Sequence, residues 1–247
     1  MITSAQFCES AVIADYFASR IDPGVMLDIG AHFGSTLRPY LDRGWRVIAA
    51  EPDQAKISRL KKFVDRPGFT LIPVAVGGRE EASLPFYTSE ESTGISSLIP
   101  FRDSHVQSGN VKLTTLGRII EDHDIAAIDF LKIDTEGFDF QVLRGMPWWK
   151  VRPEVVLCEF DEQKTRGVDH DYRALGNALL AQGYHVYLSE WFPIVRYGGN
   201  HRWRSVRRFS CDLFDPTAWG NFIAVRADAD VDRMEMLLPL NERESAD

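Results

Sequence analysis

The sequence predicts an α/β fold in which a mostly parallel sheet carries helices on both faces, and three observations lead there. Short apolar runs rich in β-branched residues alternate with helix-period stretches from residue 25 to residue 226. Four of these runs end at or beside an acid: Asp28, Glu51, Asp134 and Glu159. The first run opens into a glycine-bearing loop, and ligands in parallel sheets bind at the carboxyl ends of the strands.

In chain order, residues 4–20 place Cys8, Val12 and Tyr16 on one face with Ile13 and Phe17 beside them, a helical pattern that Asp22-Pro-Gly24 breaks. Val25-Met-Leu-Asp-Ile is the first strand, Leu37, Tyr40 and Leu41 mark the next helix, and Gly44 ends it. Residues 46–51 form the second strand. Asp53 caps a helix with the stripe Ile57, Leu60 and Val64, stopped by Pro67-Gly68. Residues 69–76 are expected as the third strand, and 77–112 as irregular chain with one short strand at 84–87 and a Ser, Thr and Gly-rich loop at 88–97. Leu113, Leu116 and Ile120 predict a short helix begun by Thr114 or Thr115. A strand over 128–133 ends at Asp134, and a helix over 137–145 points Phe138, Val142 and Met146 inward until Pro147 ends it. Residues 154–160 as a strand, a helix marked by Tyr172, Leu175 and Leu179, and strands at 185–191 and 221–226 complete the seven strands of the main sheet, the short strand at 84–87 apart. The expected organisation is one domain over 1–247, with 1–22 as an N-terminal helical extension and about 228–247 as a polar tail.

Composition narrows the function. With 45% hydrophobic residues among 247, the chain can bury one substantial core. A formal charge of −8 and a pI near 5.3 argue against a general nucleic-acid binder and favour small-molecule work. Cys8, Cys158 and Cys211 form no C-x-x-C pair, which suits a reducing compartment and buried structural thiols. There is no leader-like segment and no apolar run near the ~18 residues of a spanning helix, so a soluble, cytoplasmic protein is expected.

The loop Gly30-Ala-His-Phe-Gly-Ser-Thr36 bears on the ligand. Gly30 and Gly34 allow close backbone approach, but His32 and Ser35 stand where a dinucleotide fingerprint needs its second and third glycines. Asp28 would repel phosphates and attract an ammonium or a sulfonium, and S-adenosylmethionine carries both cations and no phosphate. Glu51 follows Asp28 by 23 residues, about the interval at which a ribose-binding acid follows a glycine loop.

Four blocks in this order resemble the FkbM-type S-adenosylmethionine-dependent methyltransferases: Asp28-Ile-Gly-Ala-His-Phe-Gly, Glu51-Pro-Asp53, Gly94-Ile-Ser-Ser-Leu98, and Asp129-Phe-Leu-Lys-Ile-Asp-Thr-Glu-Gly137 with Val142-Leu-Arg-Gly145. The resemblance spans roughly residues 25–160, and His32 departs from it where the family usually shows Asn. It implies the Rossmann-like class I methyltransferase version of the fold, with seven strands of which the last is antiparallel. It also implies O-methylation of a saccharide or glycoconjugate. The expected cofactor residues are Asp28, Gly30, Ala31, His32, Gly34, Ser35, Thr36, Glu51, Pro52, Asp53, Ser97 and Asp134.

Methyl transfer to a hydroxyl needs alignment and a proton acceptor. Asp134, Glu136 and Glu159 are the candidate catalytic residues, with His32 as a further candidate base. Asp134 with Glu159 or Asp161 could hold magnesium or calcium, but no zinc pattern is present and the site is expected to work without a metal. Between Trp191 and Cys211 lie five arginines, five aromatics (counting Trp191) and no acids. Trp191, Arg196, His201, Arg202 and Trp203 are therefore candidate acceptor contacts, against the alternative of a structural loop whose arginines pair with acids elsewhere. RNA or protein methylation, and a non-catalytic cofactor-binding module, remain the competing functions.

Overall fold

The structure, a computed structural model, describes residues 7–165, 168, 170–197 and 199–240. Its elements in chain order are α1 Glu9–Tyr16, β1 Val25–Ile29, α2 Arg38–Asp42, β2 Arg46–Ala50, α3 Gln54–Leu60, β3 Phe69–Ile72, β4 Ala75–Gly77, β5 Glu81–Ser89 and β6 His105–Thr115. They continue with α4 Leu116–Asp122, β7 Phe130–Ile133, α5 Asp139–Arg144, β8 Val155–Asp161, α6 Tyr172–Ala181, β9 Tyr184–Trp191, β10 Trp203–Arg208, β11 Trp219–Arg226 and α7 Val231–Leu237.

The main sheet has eight strands in the order β10-β9-β11-β8-β7-β1-β2-β3. Pairing is parallel from β3 through β8 and antiparallel across β8–β11–β9–β10. This corrects the expectation of seven strands: β11 is the antiparallel strand anticipated, and β10 adds another on the edge. The signal was present in Trp203-Arg-Ser-Val-Arg-Arg, where Trp203, Ser205 and Val206 are buried, but the arginines masked it.

Helices cover both faces. Leu27, Ile29, Leu131 and Ile133 pack with α4, α5 and α6, while Met26, Val47, Ala49 and Phe130 pack with α1, α2, α3 and α7. Neighbouring positions on β1 thus serve opposite cores, as a period of two requires. Helix starts fall where side chains satisfy free amides: Asp53 accepts from Ala55, Thr115 from Arg118 and Asp171 from Ala174.

A second sheet, β4-β6-β5, corrects the reading of residues 69–112. Pro73 lacks an amide for the ladder, so β3 stops at Ile72 and the chain leaves to pair β4 in parallel with β6. Residues expected as mostly irregular instead form the hairpin β5–β6, with Leu113 in the strand and not in the helix. Val64 is 51% exposed because a 3₁₀ turn after Leu60 rotates Phe63 into its place.

The expected polar tail contains α7, whose Met234 is buried against the α1 face and whose Arg233 Nε donates to the Tyr16 carbonyl at 2.8 Å. Residues 1–6 of the extension and 241–247 of the tail lie outside the described residues. Cys158 is buried as expected, but Cys8 is exposed and Cys211 half-buried. No helix among the described residues is long and apolar enough to cross a membrane.

Candidate active site

The carboxyl ends of β1, β2 and β7 open into a cavity of about 210 Å³, lined also by Val76 and Phe86 of the second sheet and by Val74 just before it. Gly30, Ala31, His32, Ser35, Thr36, Glu51, Pro52, Ser97, Asp134 and Glu136 line it. Sequence reasoning thus brought ten of its candidates to one wall. Glycine is required at position 30, whose φ is +77° and where a Cβ would lie 1.9 Å from the Asp134 carbonyl oxygen. His32 and Glu136 adopt left-handed φ of 51° and 57° without being glycine, a strained backbone concentrated at this cavity.

Three expected cofactor residues stand elsewhere. Asp28 is fully buried beneath the cavity and pairs with Lys132 at 3.3 Å, because it precedes the strand end by one residue and points into the sheet's packed layer. Burial pushes its carboxyl up, with Lys132 pulling the other way. Asp53 is the α3 cap, its second oxygen taken by Ser96 Oγ at 2.9 Å. Gly34 faces Phe63, where a Cβ would collide at 2.6 Å.

Glu51 is 2% exposed and accepts from the His32 amide at 2.9 Å and the Asp53 amide at 3.0 Å. Each oxygen thus accepts one backbone hydrogen bond, and Glu51 lines the cavity. Burial raises its pKa, opposed by Lys56. Burial, with Lys56 beside it, pushes the His32 imidazole down to about 4, so it is neutral, and its Nε2 has no hydrogen-bond partner.

Two buried lysines escaped the sequence reading. Lys56 lines the cavity, pairs with Asp53 at 3.9 Å and acts electrostatically on Glu51 and Asp134. Lys132 Nζ donates to the Gly30 carbonyl at 2.9 Å and pairs with Asp134 at 3.4 Å. A lysine inside the apolar run Phe130-Leu-Lys-Ile was the available signal for the second. Burial opposes ionisation of Asp134, but Lys132 and Lys164 outweigh it and hold the carboxyl low.

Beyond Asp134 the acids gather round Lys164, which no sequence pattern singled out. Its ammonium lies 2.6 Å from Glu136 Oε2, 2.7 Å from Glu159 Oε2 and 3.7 Å from Asp161 Oδ2. Burial pushes Glu136 up to about 7 against the pull of Lys164, and likewise raises Glu159 well above the ordinary carboxylate range. Glu159 does not line the cavity that holds Glu136; it faces a small adjoining one with Asp139 and Tyr172. The polar surroundings suit a ligand with a diol, an ammonium and a carboxylate: Glu51, Asp134 and Lys56 face the same space with acceptor or donor capacity to spare.

The basic aromatic segment divides. Trp203 is 8% exposed, stacks on Phe7 at 4.3 Å and donates to Ser189 Oγ, so it is core. Arg204 and Arg207 bind Glu190, which is fully buried, and Arg208 binds Glu235. Trp191 donates to Glu9 at 2.7 Å. Arg202 lies over the Phe192 ring at 4.3 Å, and Arg196 is exposed. None of the five acceptor candidates lines the cavity. His201 packs edge-on to Trp219 and feels the Lys164 charge, as does Tyr197, whose ring carries Arg102 at 4.8 Å. Phe101 lies 6.0 Å from the Lys164 ammonium. Phe101, Tyr197 and His201 thus lie near Lys164, with Arg102 against Tyr197.

A family profile described as the methyltransferase FkbM domain matches residues 28–186. No curated protein matches the sequence. The solved structures it is similar to are distant in sequence. A precorrin-6y methyltransferase from Geobacter metallireducens is 14% identical, covering 92% of this chain and 93% of that one with a TM-score of 0.46. A SAM-dependent methyltransferase from Agrobacterium tumefaciens is 9% identical, covering 91% and 63% with a TM-score of 0.46. Magnesium protoporphyrin IX methyltransferase from Synechocystis with bound SAM is 10% identical, covering 89% and 78% with a TM-score of 0.42.

Proposed function

The chain belongs to the FkbM methyltransferase domain family and uses S-adenosylmethionine, and on that premise we propose that it methylates a hydroxyl of a saccharide or glycoconjugate. The observation that carries the reading is Glu136, a carboxyl at the cavity wall with a pKa raised to about 7, suited to take a proton near neutral pH.

When bound, the cofactor supplies an electrophilic methyl group on sulfur. Glu51 would accept hydrogen bonds from its ribose hydroxyls, and Gly30 would let the backbone approach. Asp134, 40% exposed at its side chain, would complement its cationic end. Glu136 would take the proton of the acceptor hydroxyl as that oxygen gains the methyl group in exchange for sulfur. His32 is neutral but belongs to the loop wall, and Glu159 acts on Glu136 through Lys164 instead of touching substrate.

The saccharide assignment rests on Phe101, Arg102, Tyr197 and His201, a rim of rings and one guanidinium of the kind that stacks on sugar faces. RNA methylation is disfavoured because Arg204, Arg207 and Arg208 are spent on Glu190 and Glu235. A single domain over residues 1–247 belongs to the same reading, supported by two cores flanking one sheet. The cytoplasmic location rests on the sequence alone.

The test is incubation with methyl-labelled cofactor and separate saccharide, RNA and protein fractions. Label in saccharide supports the assignment. Label confined to RNA or protein overturns the acceptor, and cofactor binding without transfer to any fraction supports a non-catalytic module.

A further inference from the structure

Lys164 is 2% exposed and sits where two chain segments deliver three carboxylates: the loop after β7 with Glu136, and β8 with Glu159 and Asp161. Oxygens of Asp134, Glu136 and Glu159 lie within 4.8 Å of one another, close enough for one hard cation to bind all three. Two ammonium groups already divide that set. Lys132 holds Asp134 at 3.4 Å, and Lys164 holds Glu136 and Glu159 at 2.6 and 2.7 Å.

We propose that Lys164 is a positioning residue whose ammonium takes the place of a divalent cation among Glu136, Glu159 and Asp161, fixing the Glu136 carboxyl at the cavity wall without a metal. An ammonium has three donors and no acceptor. Here the ammonium donates to Glu159 Oε2 at 2.7 Å and lies 2.6 Å from Glu136 Oε2 and 3.7 Å from Asp161 Oδ2, so three carboxylates already claim it. Lys164 therefore acts on the reaction through Glu136. A divalent ion entering the cluster would meet a like charge within about 3 Å, and the carboxylates could not hold both. The value of this arrangement to catalysis rests on Glu136 being the base; the occupancy of the cluster by Lys164 does not.

Manganese alone is the probe, measured by paramagnetic resonance and calorimetry on the full chain, with S-adenosylhomocysteine binding followed in parallel. Wild type is expected to bind no Mn²⁺ below about 10 mM, whereas Lys164→Ala binds one ion with a Kd of about 10⁻⁴–10⁻³ M, the weak end for an oxygen-ligand site. Lys164→Ala/Glu159→Gln should lose that ion, locating it in the vacated cluster. Mn²⁺ binding by wild type as tight as by Lys164→Ala would overturn the proposal, as would a folded Lys164→Ala that binds none. If Lys164→Ala unfolds, refolding on Mn²⁺ addition supports the proposal and failure to refold overturns it. Loss of S-adenosylhomocysteine binding by wild type would strike the cofactor assignment alone, since the manganese result does not depend on it.

Discussion

The backbone of Gly30 lies against the backbone of Asp134 so closely that a Cβ on Gly30 would come within 1.9 Å of the Asp134 carbonyl oxygen. The glycine loop after β1 and the acidic loop after β7 share one wall, and Lys132 fastens it by donating to the Gly30 carbonyl at 2.9 Å. Gly30→Ala must move one loop or the other. It is expected to lower stability by about 2 kcal/mol or more, the scale of backbone strain at a left-handed position, and to weaken S-adenosylhomocysteine binding. Thermal melting and calorimetry check both, and an unchanged melting point would contradict the contact.

Glu51 and Asp28 should separate. Glu51→Gln keeps its shape but loses its charge and one of its two backbone contacts, since an amide nitrogen cannot accept, so affinity for S-adenosylhomocysteine should fall by about 1–3 kcal/mol with a smaller loss in melting temperature than Asp28→Ala causes. Asp28→Ala leaves Lys132 short of a partner in a buried site and should reduce stability by roughly 3 kcal/mol. Equal affinity losses with no change in melting would show that Asp28 touches the cofactor after all.

Trp203→Ala should behave as a core deletion, with about 3–5 kcal/mol lost and no selective effect on the acceptor. His201→Ala and Arg102→Ala should raise the acceptor KM while melting and cofactor affinity hold. Steady-state kinetics beside melting curves would expose the reverse pattern.

Glu136 gives the reaction a pH signature. The base works ionised, so kcat should rise through about pH 7 and level above it, and Glu136→Gln should lower kcat by at least ~10²-fold. The stability effect runs the other way. A carboxyl raised from 4.5 to about 7 binds its proton more tightly when folded, so its contribution is full below pH 4.5 and is lost as pH rises towards 7. Glu136→Gln should flatten both profiles in that window. A wild-type kcat independent of pH from 6 to 8 would remove Glu136 as the base.

What was legible in the sequence was local. Strand ends, glycines at positive φ and capping residues depend on neighbours a few positions away, so the β1 loop, Glu51, Asp53 and the Asp134 segment were readable. What was missed depends on partners far along the chain. Lys164 matters because Glu136 reaches it from another loop, and β10 exists because β9 accepts it despite its arginines. Glu190 decided the role of Arg204 and Arg207, and no spacing rule connects a strand acid to arginines 14 and 17 residues later. The second sheet was hidden for a similar reason: its strands are exposed along much of β5 and β6, so they lack the apolar alternation of a core strand.

The carboxylate of Glu9 accepts from Ser189 Oγ at 2.6 Å, Trp191 Nε1 at 2.7 Å and Asn221 Nδ2 at 3.3 Å. The first helix is thus bolted to strands that lie some 180 or more positions downstream. During synthesis β9 and β11 follow α1 by some 180 residues or more, so the Glu9 carboxylate gains these partners late, whereas the apolar face of the helix packs on β1, β7 and β8, which are made sooner.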